Sequence, residues 1–104
     1  MASDTVRDVE PGEAQQLIGS GWRLIDVRTD AEWAQGHIAG AHHVPMDQVV
    51  EEIGVHVEHP LLVVCASGGR SYRVAQYLAA QGFEAANLDG GLHAWEAAGL
   101  PVEH

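Results

Sequence analysis

Leu61-Leu62-Val63-Val64 is a continuous apolar run, bounded by Pro60 before it and by Gly68 and Gly69 shortly after it. Such a run reads as a strand buried on both faces. From Ser71 onward, Val74, Tyr77 and Leu78 fall at helical spacing and Gly82 offers a stop, which predicts a helix over Ser71–Gln81. The same pattern recurs along the chain. Val6 to Val9 predicts a short edge strand. Pro11 suits a first helical turn, with Ala14, Leu17 and Ile18 as its apolar face, ended by Gly19 and Gly21. Trp22 to Val27 predicts the next strand, and Thr29-Asp30-Ala31-Glu32 is a capping box that starts a short helix stopping near Gly36. Ala41 to Val44 predicts a strand closed by Pro45. Met46, Val49, Val50 and Ile53 share one helical face, followed by a loop from Gly54 to Pro60. Ala85 to Leu88 predicts a last strand, and Leu92 to Ala98 a last helix ended by Gly99. Strands alternating with helices predict an α/β fold, with a mainly parallel central sheet of about five strands and helices on both faces.

In such a sheet, ligands bind at the carboxyl ends of the strands. There the apolar run meets Cys65, the single cysteine of the chain. A thiolate, not a thiol, is the nucleophile, and a free thiol has a pKa of about 8.5. Amides of a tight glycine-containing loop form an anion nest, the helix N-terminus adds partial positive charge, and Arg70 adds a full one. All three favour a charged sulfur, so the Cys65 pKa is expected below its reference value. A side chain at Gly68 or Gly69 would restrict the turn. The same cradle of Ala66, Ser67, Gly68, Gly69, Arg70 and Ser71 would hold an anion brought to the sulfur. This chemistry requires a reachable sulfur and amides that face it.

Composition narrows the partners. A chain of 104 residues is the length of one domain, and 46% hydrophobic content is that of a globular one. The formal charge of −10, with five arginines and no lysine, argues against nucleic acid and membranes as partners. An anionic substrate is repelled at long range, but salt screens that field beyond roughly 8 Å, so the loop has to attract its ligand locally. The polar segment Met1 to Asp8 carries no apolar leader pattern, which gives a cytoplasmic expectation. One cysteine forms no internal disulfide.

Cys-x-x-Gly-x-Arg-Ser, Cys65 to Ser71, resembles the active-site loop of the rhodanese-like sulfurtransferases. Asp26-Val27-Arg28, Glu32 and Gly36-His37-Ile38-Ala39-Gly40-Ala41 resemble that family's first signature, and Gly90-Gly91, Trp95, Gly99 and Pro101 its C-terminal one. The likeness runs in order from about Val9 to Pro101. It implies a single domain over 1–104, with its core at about 6–101, that moves sulfane sulfur through a cysteine persulfide. The implied partners are a small anionic donor such as thiosulfate and a thiol or cyanide acceptor, with a protein acceptor of sulfur as a further candidate. No cofactor and no metal are called for.

Other residues carry less. Arg28, beside Asp30 and Glu32, is expected to be an ion-pair member, and Asp26 to accept hydrogen bonds that fix a neighbouring loop. His37, His42, His43, His56 and His59 lack a converging ligand set and read as turn or surface histidines. Trp33 and Trp95 read as core or groove-lining residues. Ser67 and Ser71 are donors to a bound anion or, equally, loop filler and helix N-cap. Two other functions compete. A sulfur-relay module would carry the same loop with little turnover on small molecules. A cysteine phosphatase is disfavoured, because four residues separate Cys65 from Arg70 where those enzymes have five, and Val64 stands where they carry histidine.

Overall fold

The computed structural model describes residues 6–56 and 58–104, without the Val55 side chain. Residues 1–5, part of the segment on which the cytoplasmic expectation rests, and residue 57 of the expected Gly54–Pro60 loop lie outside that description. The elements run β1 (Arg7–Val9), α1 (Pro11–Gly19), β2 (Arg23–Asp26), α2 (Asp30–Gln35), β3 (His42–His43), α3 (Val49–Glu52), β4 (Leu61–Val64), α4 (Gly69–Ala80), β5 (Ala85–Leu88) and α5 (Gly91–Ala97). The five strands form one sheet in the order β1-β5-β4-β2-β3, with every pairing parallel.

Its centre is β4, and the sequence shows why. Strand β4 pairs with β2 on one side and β5 on the other and has helices above and below, so all four side chains from Leu61 to Val64 are buried. Burial of each such side chain contributes roughly 1.5–3 kcal/mol. Side chains alternate across a strand. Leu61, Val63 and Cys65 therefore join the core under α4, with Val74, Ala75, Leu78 and Ala79. Leu62 and Val64 join the opposite core, with Ala14 of α1 and Leu92 and Trp95 of α5. Helices cover both faces, as the pattern predicts.

Two segments differ from expectation. Met46 to Ile53 is not one helix. It is a 3-10 turn (Met46–Gln48), a single α-turn (α3) and a second 3-10 turn (Ile53–His56) that enters the expected loop. Val49 and Ile53 are buried, while Met46 is 40% and Val50 71% exposed. Only two of the four apolar positions find a surface to cover. Helix α4 begins at Gly69, two residues before Ser71. Its N-cap is Gly68, in the left-handed region at φ 105°, with no side-chain cap. Among the described residues no helix is long and apolar enough to cross a membrane.

Candidate active site

The loop Cys65 to Gly68 leaves the carboxyl end of β4 and turns at once into α4. Gly68 makes the turn. Its φ of 105° is costly for other residues, and a Cβ there would stand 3.1 Å from the Gly90 amide nitrogen. The turn brings the Gly68 N–H to Cys65 Sγ, 3.1 Å away, and the Ser71 hydroxyl to within 3.2 Å of it. Burial alone raises the thiol pKa. The Ser71 hydroxyl and the backbone amides of Ser71, Gly68 and Ser67 outweigh that effect and hold Cys65 below its ordinary value. The amides face the sulfur, as anticipated.

The loop is locked from a second side. The first amides of α5 donate to it, Leu92 N to the Cys65 carbonyl at 2.8 Å and His93 N to the Ala66 carbonyl at 3.0 Å. This approach requires Gly91, whose φ is 58° and whose added Cβ would overlap the Cys65 carbonyl. Gly90-Gly91 is thus the seat of the Cys65 loop.

Three expectations are corrected. Cys65 is only 1% exposed, so the sulfur is closed over rather than open. It extends the inward series of β4 into the core beside α4. Arg70 spends its guanidinium on a carboxylate rather than on the sulfur. It makes two hydrogen bonds to the Glu32 carboxylate, at 2.8 and 2.9 Å, and its charge is not a main cause of the lowered thiol pKa. Gly69 sits in the first turn of α4 without a positive φ, and a Cβ there meets nothing within 4 Å. Its lack of a side chain is therefore not demanded by the turn.

The sequence placed Glu32 in a capping box and a family signature but did not mark it as a partner of the Cys65 loop, and it did not single out Asn87. The Glu32 carboxylate accepts from Arg70 and also from the Thr29 N–H and hydroxyl, completing the predicted capping box of α2. Arg70 is the main reason its pKa falls to about 2. Asn87 on β5 is buried and meets the Ser71 hydroxyl. Its signal was a polar residue in an otherwise apolar strand.

Two clefts flank the loop. One, of about 490 Å³, is lined by Val27, Thr29, Met46 and Arg70 among others. The other, of about 290 Å³, is lined by Arg28, Glu32, Ala66 and His93 among others. The Glu32–Arg70 pair borders both.

Comparison with known proteins then decides the family. The rhodanese-like domain family model matches residues 10–98. The chain belongs to the rhodanese-like domain family. It is 38% identical over 95 residues to thiosulfate sulfurtransferase GlpE of Pseudomonas paraeruginosa, covering 89% of this chain and 86% of the relative. A rhodanese-like domain protein from Staphylococcus aureus superposes with TM-score 0.78 at 33% identity, over 95% of this chain and all of the other. A rhodanese-related protein from Thermoplasma volcanium superposes with TM-score 0.86 at 26% identity, over 93% and 97% of the two chains.

The remaining residues of this rhodanese-like chain serve its frame. Asp26 accepts from the Arg28 amide and guanidinium in a buried pair, so the partner of Arg28 is Asp26 rather than Asp30 or Glu32. Arg28 also donates to the Gly36 carbonyl at 2.7 Å, which ties the signature segment to β2. Trp33 stacks on His37 and His43. Trp95 is core, with its indole N–H on the Pro101 carbonyl. Among the described residues no cluster of His, Cys, Asp or Glu is arranged to hold a metal. Ser71 is not the N-cap. It is fully buried within the first turn of α4.

Proposed function

We propose that this sulfurtransferase carries sulfur on Cys65. The thiolate attacks the outer sulfur of an anionic donor such as thiosulfate. A new S–S bond forms, the donor's own S–S bond breaks, and sulfite leaves with the electron pair. An acceptor, cyanide or a thiolate, then attacks the outer sulfur of the persulfide, takes it as thiocyanate or a new persulfide, and returns Cys65 as thiolate. The observation that carries this reading is the hydrogen-bonded sulfur at the end of β4, where the Gly68 amide and Ser71 hydroxyl stabilise an anion that burial alone would suppress. The amides of Ala66, Ser67, Gly68 and Gly69 and the side chains of Arg70 and Ser71 are the groups proposed to hold the donor. With one cysteine in the chain, the persulfide is discharged by an outside acceptor. Because Cys65 is 1% exposed, the donor is proposed to enter past the Glu32–Arg70 pair, whose members line the two clefts, and to open the cover over the sulfur as it does so.

Initial rates of thiocyanate formation, with thiosulfate and cyanide varied together, test the scheme. A two-step covalent cycle gives parallel double-reciprocal lines, and Cys65→Ala abolishes the rate. Intersecting lines, or activity retained in Cys65→Ala, contradict it.

A further inference from the structure

Ser71 has one hydroxyl proton and three acceptors around it. Asn87 Oδ1 is at 2.5 Å, Cys65 Sγ at 3.2 Å and the Gly68 carbonyl at 3.3 Å. A hydroxyl donates one strong bond at a time. The nearest acceptor belongs to an amide that is held in place. Asn87 Nδ2 donates to Asp8 Oδ1 at 2.8 Å and to the Gly68 carbonyl at 3.3 Å. Turning the amide over would set its oxygen against two other oxygens, so Oδ1 faces Ser71. The sheet register makes this arrangement, because Asp8 and Asn87 are direct partners across β1 and β5. Cys65, Ser71 and Asn87 are each at most 2% exposed, so bulk water does not substitute for any of them.

We propose that Asn87, locked by Asp8 and the Gly68 carbonyl, is a positioning residue that competes with the Cys65 sulfur for the Ser71 proton and so sets how much of the thiol is ionised. In the thiol form Ser71 donates to Asn87, and its oxygen accepts the S–H. When Cys65 loses its proton to solvent, Ser71 keeps its own and turns it to the sulfur. That turn leaves Asn87 Oδ1 as a buried acceptor facing hydroxyl lone pairs, a penalty borne by the thiolate form only. Asn87 therefore raises the thiol pKa above what the cradle alone would set. This tempers the nucleophile, since a thiolate loses intrinsic reactivity as its pKa falls. The other charges around the sulfur stay as they are: Arg70 of α4 paired to Glu32 of α2, and Asp26 of β2 paired to Arg28. The consequence for turnover rests on the sulfurtransferase reading, whereas the titration does not.

The test is thiolate absorbance against pH for the wild type, Asn87→Ala, Ser71→Ala and the double variant. Asn87→Ala is expected to lower the midpoint, with about a tenfold gain in the ionisation constant. Ser71→Ala raises the midpoint, and the double variant titrates like Ser71→Ala alone, because Asn87 acts through Ser71. An unchanged or raised midpoint in Asn87→Ala overturns the proposal, as does additivity in the double variant. If Asn87→Ala does not fold, nuclear magnetic resonance of the wild type decides. The Asn87 side-chain amide then shifts with the Cys65 midpoint, and a flat amide overturns the proposal. Absence of thiosulfate turnover in the wild type alongside the expected midpoints would sink the functional reading and leave this arrangement standing.

Discussion

Glu32 joins two local structures through one carboxylate. It caps α2 through Thr29 and clamps Arg70 in the first turn of α4, 38 residues away. The clamp fixes where the guanidinium stands, and its charge is not among the main causes of the lowered thiol pKa. Arg70→Ala is accordingly expected to separate two quantities. The Cys65 titration midpoint moves less than in Ser71→Ala, because the hydroxyl and the loop amides supply the stabilisation. The thiosulfate KM rises about tenfold, the cost of one charge-assisted hydrogen bond to the donor. Absorbance titration and steady-state rates measure the two. A midpoint shift in Arg70→Ala as large as that in Ser71→Ala would contradict the assignment. Cys65 and its neighbours were legible in the sequence because the loop is contiguous. Glu32 and Asn87 as partners were not, because each meets the loop only through the sheet order.

The Cys65 loop is a joint between elements, held by the sheet on one side and the α5 N-terminus on the other. The two glycines of that joint do different work. Gly91→Ala would drive a Cβ into the Cys65 carbonyl in a strained conformation, for a loss of at least about 1–3 kcal/mol. Gly69→Ala adds a methyl in open space within a helix and is expected to raise stability by roughly 0.5–1 kcal/mol. Urea denaturation of both variants checks the opposite signs. The strands and most helices were readable because a buried run and a capping box are local signals. Met46 to His56 was not, because helical spacing shows which residues share a face but not whether a surface exists to bury it. Val49 and Ile53 found one and Val50 did not. The start of α4 was missed for a related reason. Its cap is the backbone of Gly68, and no capping side chain marks it.

Across the whole molecule, the parallel sheet puts its two ends to different uses. The carboxyl ends of β2, β4 and β5 frame Cys65. Arg23, at the opposite end of β2, makes hydrogen bonds to His56 Nδ1 at 3.1 Å and His59 Nε2 at 2.9 Å. An arginine only donates, so both imidazole nitrogens accept. Burial, then His42, Arg23 and His59, push the His56 pKa below its ordinary 6.5. The unfolded chain then binds a proton that the folded chain refuses. Stability is present above the unfolded pKa and falls as pH drops through 6.5. Denaturant midpoints measured from pH 8 to pH 5.5 should decline, and His56→Gln should flatten part of that decline. An identical slope in the variant would remove His56 from the account. The fold class and the overall charge were plain from sequence, but this cluster was not. It gathers residues from β2, β3, the turn after α3 and the loop before β4, none of which carries a motif.

The intact mass of the protein after incubation with thiosulfate, with Cys65→Ser as control, tests the central claim most directly. A gain of one sulfur atom in the wild type, lost on adding cyanide and absent from the control, is the predicted result. An unchanged mass in the wild type, or the same gain in Cys65→Ser, would contradict it.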